Sequence, residues 1–232
     1  MGRAVTEALG RPPPDQLSRQ GINMKSVIVF GASGLLGNEV VNEILRTGAK
    51  VTVYTRHSHF PNTNVSVVCG ELTDEAKIAK ATDGIDVVVC CVGNRNYEDP
   101  TKIVSSFVNL VVKLIEPNQR LIVVSGSGLT LADARTLRRN LPGQPEFLKN
   151  QREDHWEAYC ALSPLDINYL VVCPTMMVEG SADDNYTVEV TYFPKDAAKE
   201  VSAGNVARFI AKEIMAERYQ KVRVGIANKI AA

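Results

Sequence analysis

The sequence lacks several features that mark common classes of protein. Lysine plus arginine and aspartate plus glutamate both number 26 among the 232 residues, so the formal net charge is zero. This balance argues against a nucleic acid or an acidic membrane surface as a partner. No apolar run reaches 18 residues, so the sequence predicts neither a transmembrane helix nor stable membrane insertion.

The cysteines exclude further classes. The five cysteines contain no C-x-x-C pair, and histidine, cysteine and acidic residues do not cluster at metal-ligand spacing. The sequence therefore predicts no metal site. Because the cysteine count is odd and most of them lie in or beside apolar segments, a reducing compartment is favoured, and we expect a cytoplasmic protein.

What is present is an alternation of apolar runs and amphipathic stretches that begins at residue 25. The segment 1–24, broken by glycines and Pro12–Pro14, is predicted to be a disordered N-terminal extension. Near-continuous valine and isoleucine runs separated by helices are typical of parallel strands buried on both faces. Residues 25–232 are therefore predicted to form one α/β domain with a doubly wound parallel sheet. Segment 174–202, rich in polar and turn residues, is predicted to form a small irregular lobe over the carboxyl edge of that sheet.

The order of the predicted elements follows from these patterns. Short β-branched runs are read as strands, and longer stretches with apolar residues on one face are read as helices. The predicted strands are 26–30, 51–55, 65–69, 86–92, 120–124, 167–173 and 222–226. The predicted helices are 35–46, 74–82, 100–115, 146–162 and 203–217.

A glycine-rich turn joins the first strand to the first helix. The segment Gly31-Ala32-Ser33-Gly34-Leu35-Leu36-Gly37 has the spacing G-x-x-G-x-x-G. Gly31 allows a sharp turn, Gly34 allows the backbone to approach a pyrophosphate, and Gly37 allows close packing of helix on sheet. The helix N-terminus offers free N–H groups to phosphates, and Ser33 adds a hydroxyl donor. Directly after a first strand, this pattern predicts a Rossmann dinucleotide site that also includes Leu35 and Leu36.

The end of the second strand indicates which dinucleotide is bound. NAD-specific sites usually carry an acidic residue there that accepts from the ribose hydroxyls. This chain has Tyr54-Thr55-Arg56-His57 and no acid. Because the guanidinium of Arg56 can pair with a 2′-phosphate, the sequence predicts NADP(H) rather than NAD(H).

The carboxyl ends of the later strands complete the predicted cofactor site. Parallel strands end at one edge of the sheet, so residues that follow them should lie along the dinucleotide. Arg95 could face the cofactor or the substrate, or could be a solvated surface residue. The additional predicted cofactor-binding residues are Glu71, Leu72, Cys91, Val92, Gly93, Ser125 and Pro174.

Several of these segments together resemble the atypical short-chain dehydrogenase/reductase group, which includes NmrA-like and NAD(P)H-binding members. Within it, the chain is most similar to the biliverdin-IXβ reductases, also called flavin reductases. The resemblance covers residues 25–226 and rests on the glycine turn, Thr55-Arg56, Val92-Gly93-Asn94-Arg95-Asn96, Asp154-His155 and Tyr186-Thr187-Val188. It implies a Rossmann sheet that carries NADPH along its carboxyl edge. It also implies direct hydride transfer to flavins or tetrapyrroles, or a role as a redox-sensing binder.

The candidate catalytic residues depart from the group's usual pattern. By resemblance, Ser125 or Ser127 provides the hydroxyl beside the nicotinamide. Tyr159 is the nearest tyrosine in the expected helix, but residue 163 is serine, so the Tyr-x-x-x-Lys pair that lowers a tyrosine pKa is missing. His155 is either a proton donor in the pocket or a residue of the helix face.

Three functions remain open on this basis. The first is an NADP(H)-dependent oxidoreductase that reduces a flavin, quinone or similar conjugated small molecule by direct hydride transfer. The second is a non-catalytic NADP(H)-sensing regulator of the NmrA type, which the missing lysine favours. The third is a relative of the nucleotide-sugar epimerases, for which the chain after the sixth strand is short. We expect a monomer or a weak homodimer.

Overall fold

The strands coincide with the buried β-branched runs in the computed structural model, which describes residues 24–230. Val27, Ile28 and Val29 of the first strand are fully buried, as expected for a parallel sheet covered on both faces. The strands are β1 (Ser26–Phe30), β2 (Lys50–Thr55), β3 (Ser66–Cys69), β4 (Val87–Cys90), β5 (Arg120–Val124), β6 (Asn168–Pro174), β7 (Met176–Val178), β8 (Tyr186–Val190), β9 (Glu200–Ser202) and β10 (Val222–Asn228). The α-helices are α1 (Leu35–Arg46), α2 (Glu75–Thr82), α3 (Val104–Leu114), α4 (Lys149–Leu162) and α5 (Ala203–Ala216).

The main sheet is mostly parallel. Its eight strands run in the order β3-β2-β1-β4-β5-β6-β10-β8, and β8 pairs with β10 antiparallel. The order reverses between β1 and β4, which is where α/β sheets open a crevice for a ligand. The predicted fold, a doubly wound α/β sheet in one domain, is confirmed. The predicted extension lies outside the described residues, apart from Met24.

Helices cover both faces of the sheet because successive strand residues point to opposite sides. Val27 and Val29 pack with α1 and α5 in one core cluster. Ile28 and Phe30 pack with α2, α3 and α4 in the other. The two cores leave the carboxyl ends of the strands as the edge where a site can form.

Two predicted helices begin later than the sequence suggested. The helix predicted for 100–115 is α3 and starts at Val104, because the N–H groups of Ile103 and Val104 donate to the carboxylate of Asp154 at 3.0 and 2.9 Å. The helix predicted for 146–162 opens with a 3₁₀ turn, Glu146–Leu148, and becomes α-helical only at Lys149.

Segment 174–202 contains strands rather than only irregular structure. It contributes β7 and β9, which pair with each other, and β8, which joins the main sheet beside β10. Gly225 of β10 allows the segment that follows β8 to cross closely over it, because a Cβ on Gly225 would lie 2.5 Å from the carbonyl oxygen of Tyr192. The pairing was not predictable locally, since the partner of β8 lies more than thirty residues further along the chain.

Candidate functional site

The glycine turn has the geometry that its spacing predicts. Gly31 has φ of +78°, and a Cβ there would lie 2.6 Å from the carbonyl carbon of Cys91. A Cβ on Gly37 would lie 2.1 Å from the carbonyl oxygen of Gly31, so only glycine lets α1 pack this closely on the turn. Gly34 forms the N-cap of α1 and has no capping side chain. The N–H groups of the first helical turn are therefore left for a ligand.

A cleft of about 790 Å³ opens beside this turn, within the usual size of small-molecule sites. Its walls are the glycine turn, the carboxyl ends of β2, β3 and β4, and α3 with the residues just before it. The predicted cofactor residues that line it are Gly31, Ser33, Gly34, Arg56, Glu71, Leu72, Cys91, Val92 and Gly93.

The other predicted cofactor residues lie outside the lining of this cleft. Leu35 is exposed on α1, whereas Leu36 is buried in the core, so only the backbone of Leu36 is available to a ligand. Gly37 packs against the carbonyl oxygen of Gly31 in the turn. Ser125 and Pro174 lie at the ends of β5 and β6, on the far side of β4. Their contact with a cofactor stays a prediction.

Arg56 lies at the end of the cleft formed by β2 and β3. Its side chain is exposed, and its carbonyl oxygen accepts a hydrogen bond from the Cys69 thiol at 3.3 Å. The Tyr54 hydroxyl donates to the carbonyl of Glu71 at 3.0 Å and so ties β2 to the residues after β3. A guanidinium therefore stands where a dinucleotide's ribose should lie, on a backbone held by these two contacts.

Arg95 lines the cleft beside the glycine turn. One of its guanidinium nitrogens donates to the carbonyl oxygen of Ser33 at 3.3 Å. This contact carries the side chain from the segment after β4 to the glycine turn. Whether Arg95 faces a cofactor or a substrate stays a prediction.

The sequence analysis missed the wall that α3 contributes. An amphipathic pattern shows that a helix has a buried face, but it does not show which residues border a cleft at the edge of that face. Lys102, at the approach to α3, also forms an ion pair with Glu157. The missed lining residues are Thr101, Lys102, Ile103, Ser106, Phe107 and Leu110.

The candidate catalytic residues Ser125 and His155 both lie near the end of β5. Ser125 is only 7% exposed, and its hydroxyl oxygen has no hydrogen-bond partner among the described residues. At the next residue, Gly126, a Cβ would lie 3.4 Å from Nδ1 of His155. Ser127 opens a 3₁₀ turn, and its carbonyl accepts from the Thr130 hydroxyl at 2.7 Å. The unpartnered, buried hydroxyl of Ser125 is therefore on the residue that precedes Gly126, and the imidazole of His155 approaches Gly126 from α4.

Burial controls the protonation of His155. The imidazole is 8% exposed, and loss of solvation lowers its pKa to about 4, although the nearby Asp154 carboxylate opposes this shift. The ring is therefore neutral at pH 7. In that state it can donate one hydrogen bond and accept another, but it is not an imidazolium acid.

Asp154, the neighbour of His155, has a structural role. Its carboxylate accepts from the backbone N–H of Ile103, Val104 and Ser105 and from the Ser105 hydroxyl, at 2.6 to 3.0 Å. These contacts satisfy the free amides at the start of α3. The Asp154-His155 pair thus joins α4 to a wall of the cofactor cleft.

The cation beside Tyr159 is an arginine, not the lysine of a Tyr-x-x-x-Lys pair. The guanidinium carbon of Arg223, on β10, lies 4.8 Å from the centre of the tyrosine ring. The ring centre of Trp156 lies 6.0 Å from that of Tyr159. Tyr159 thus lies within an aromatic and cationic surface on α4, and the contacts given above do not connect it to Ser125.

The described residues lack the features of two other kinds of site. Within residues 24–230, no group of three or more histidine, cysteine or acidic side chains could hold a metal ion. In the same range, no helix combines the length and the apolar character that crossing a membrane requires.

Comparison with known proteins gives the family. Residues 31–217 match the family described as NAD(P)H-binding. The chain belongs to this family. The resemblance to the NAD(P)H-binding members of the atypical short-chain dehydrogenase/reductase group is thereby confirmed.

Solved structures share the fold. A candidate NADH-flavin reductase from Streptococcus pneumoniae is 22% identical with a TM-score of 0.78, and the match covers 89% of this chain and 100% of that one. A short-chain dehydrogenase/reductase from Veillonella parvula, in complex with NADP, is 19% identical with a TM-score of 0.65, covering 88% of this chain and 94% of that one. At these identities, the likeness concerns the fold.

A curated relative matches only in part. Eugenol synthase 1 of Petunia hybrida is 28% identical over 92 residues, which is 34% of this chain and 30% of that protein. The matched segment thus spans less than a third of the relative. The family match shows an NAD(P)H-binding protein.

Proposed function

We propose that the protein is an NADP(H)-dependent oxidoreductase that reduces a flavin, quinone or similar conjugated acceptor by direct hydride transfer. The observation that carries the proposal is the cleft that runs from the glycine turn to Arg56. The residues present fit a dinucleotide: the uncapped amides of α1 suit a pyrophosphate, and glycine is required at Gly31 and Gly37.

Arg56 supports NADP(H) over NAD(H). The residues that follow β2 include no carboxylate to accept from a ribose 2′-hydroxyl, whereas the guanidinium of Arg56 can form a charge-assisted pair with a 2′-phosphate. Arg95, which donates a hydrogen bond to the glycine turn, suits the pyrophosphate that both dinucleotides share. The two arginines therefore have separable roles.

The cofactor preference is tested with Arg56→Ala. Loss of a charged hydrogen-bonding partner should weaken NADPH binding by about ten- to a hundredfold and leave NADH binding nearly unchanged. Dissociation constants for both dinucleotides, measured by calorimetry, give the result. His57→Ala, at the exposed neighbouring position, is the matched control. Equal losses for the two dinucleotides would refute Arg56 as the reader of the 2′-phosphate.

The chain's own residues can orient an acceptor. Bound NADPH would supply a hydride. The Ser125 hydroxyl, which is buried without a partner, is available to hydrogen-bond an acceptor oxygen, and Ser127 is the alternative donor. Because His155 is neutral at pH 7, it can hold a hydrogen bond but does not provide an imidazolium proton. The proton that follows the hydride comes from water, which removes the need for a Tyr-x-x-x-Lys pair.

The activity itself is tested by NADPH oxidation in the presence of FMN, FAD, quinones and biliverdin. We expect turnover with at least one of these acceptors and a reduced rate for Ser125→Ala or Ser127→Ala, whichever serine carries the role. A protein that binds NADPH but turns over with none of these acceptors would disprove the proposal.

One observation favours a second candidate, a non-catalytic NADP(H)-sensing regulator. Ser163 stands where a catalytic lysine would follow Tyr159, so proton relay through the tyrosine lacks its usual partner. Such a regulator must bind a protein partner with different affinities in its NADP⁺ and NADPH states. Equal capture of co-purifying proteins in the two states would count against this role.

A further inference from the structure

Three arginines stack on aromatic rings in the part of the molecule that lies beyond β5. The guanidinium carbon of Arg138 lies 3.8 Å from the ring centre of Phe193, that of Arg139 lies 5.2 Å from Trp156, and that of Arg223 lies 4.8 Å from Tyr159. We call these six residues the arginine–aromatic surface. All three distances are within the range of cation–π attraction.

Backbone hydrogen bonds join the segments that carry this surface. The N–H of Arg138 donates to the carbonyl of Thr130 at 2.9 Å, and the N–H of Phe193 donates to the carbonyl of Leu131 at 3.2 Å. The N–H of Thr191 donates to the carbonyl of Arg223 at 2.8 Å. Segment 130–138, segment 191–193 and β10 are therefore one connected layer, against which α4 presents its two aromatic rings.

The surface adjoins the predicted position of hydride transfer. A Cβ on Gly128 would lie 3.5 Å from Cβ of Arg139, so the turn that starts at Ser127 touches it directly. His155, which approaches Gly126, is the immediate neighbour of Trp156 in α4. The Arg139–Trp156 end of the surface therefore adjoins the turn that carries Ser127.

The charges of the surface are incompletely balanced. Arg139 is paired with Glu153, but no described carboxylate forms an ion pair with Arg138 or Arg223. Nε of Arg223 is buried without a hydrogen-bond partner among the described residues. Partial burial also lowers the pKa of Arg138. A guanidinium held out of water without a counter-ion is costly, and an anion that pairs with it offsets that cost.

We propose that the arginine–aromatic surface binds the acceptor and selects conjugated acceptors that carry an anionic oxygen group. The flat rings stack on the acceptor's ring system, and the free guanidinium of Arg138 pairs with its phosphate or carboxylate. This inference rests on the proposed reductase function, of which it names the substrate class. It also explains why a chain with no net charge concentrates arginines in segment 135–139.

FMN and riboflavin test the inference because they differ only by a phosphate. The wild-type protein should reduce FMN with a kcat/KM at least tenfold above that for riboflavin. Arg138→Gln should abolish this preference by raising the KM for FMN, with riboflavin unaffected, and Arg138→Lys should restore part of it. Arg135→Gln removes an exposed charge from the same segment and is the matched control, which should change neither substrate.

Two kinetic results would overturn the inference. One is equal kcat/KM for the two flavins in the wild type, and the other is an equal fall for both in Arg138→Gln, which would show a merely structural role. Thermal midpoints of all variants should lie close to that of the wild type, since Arg138 is partly exposed.

Flavin binding separates this inference from the reductase proposal. If the wild type reduces neither flavin, quenching of flavin fluorescence in the presence of NADP⁺ reports binding alone. Tight FMN binding that Arg138→Gln abolishes would support the surface, although reduction would be disproved. FMN binding that is absent, or independent of Arg138, would overturn the surface.

Discussion

At the scale of single residues, the burial of His155 makes the stability of the protein depend on pH. Its pKa falls from the ordinary 6.5 to about 4 in the folded protein. Between these values the unfolded chain binds a proton that the folded chain does not, so stability decreases as the pH falls from 6.5 to 4 and levels off below. The whole effect amounts to about 3 kcal/mol.

Replacing the imidazole should remove this pH dependence. For His155→Gln, the difference in the free energy of unfolding between pH 7.5 and pH 4.5 should be smaller than in the wild type by about 2 to 3 kcal/mol. Urea unfolding at both pH values measures it. His57→Gln and His59→Gln, at exposed positions, should keep the wild-type dependence. If His155→Gln also keeps it, the ring is not neutral and buried as described.

Single residues also show how far a sequence predicts a site. Gly31, Gly37 and Arg56 were predictable because their roles depend on local position, in a turn or at a strand end. Ser106 and Phe107 were not, because they reach the cleft only through the rotation of α3 about its axis. That rotation is set by contacts with α4, which begins more than thirty residues later.

At the scale of elements, the start of α3 depends on a side chain from α4. Four hydrogen bonds converge on the Asp154 carboxylate, which is 4% exposed. This explains why Pro100 does not open the helix, as a proline near a first turn would lead one to expect. A helix boundary set by a distant carboxylate carries no local signal.

Removal of that carboxylate should loosen both the helix and the cofactor cleft. Asp154→Ala leaves buried amides without acceptors and should lower the free energy of unfolding by about 2 to 4 kcal/mol. NADPH binding should weaken as well, since α3 lines the cleft. Asp154→Asn keeps one oxygen acceptor, so its free energy of unfolding and its NADPH affinity should lie between those of the wild type and those of Asp154→Ala. Urea unfolding and NADPH titration measure the two effects.

Glu153→Ala provides the control on the same helix. Its side chain is 47% exposed and its ion pair with Arg139 lies at the surface, so the loss should be below about 1 kcal/mol. Losses of similar size for Glu153→Ala and Asp154→Ala would show that Asp154 has no special role in α3.

At the scale of the whole molecule, a buried network of ion pairs joins α5 to the amino end of β5. Glu213 of α5 is fully buried and lies 3.7 Å from Arg120 of β5, 2.7 Å from Arg218 and 3.1 Å from the N–H of Tyr219. Glu217 joins the network through Arg120, at 3.8 Å. Burial lowers the pKa of Arg120, which the two carboxylates partly oppose.

Breaking this network should destabilise the fold as a unit. Glu213→Ala leaves the buried Arg120 with the Tyr219 carbonyl, at 2.8 Å, and the more distant Glu217 carboxylate, and should lower the free energy of unfolding by about 3 kcal/mol. Lys221→Ala removes an exposed ion pair with Asp166 and should change it by less than about 1 kcal/mol. Urea unfolding at pH 7 compares them. A loss below about 1 kcal/mol for Glu213→Ala would mean that the buried pair is dispensable.

The lining of the cofactor cleft comes entirely from the first half of the chain. Among the described residues, those that border it run from Gly31 to Leu110 and none follows. Substitutions after residue 110, other than at Asp154 and at the predicted contacts Ser125 and Pro174, therefore leave the lining of this cleft unchanged. Under the proposed reductase function, descendants of one ancestral gene could exchange their reducible partner while retaining the same source of electrons, and laboratory evolution toward a new acceptor should begin in that second half.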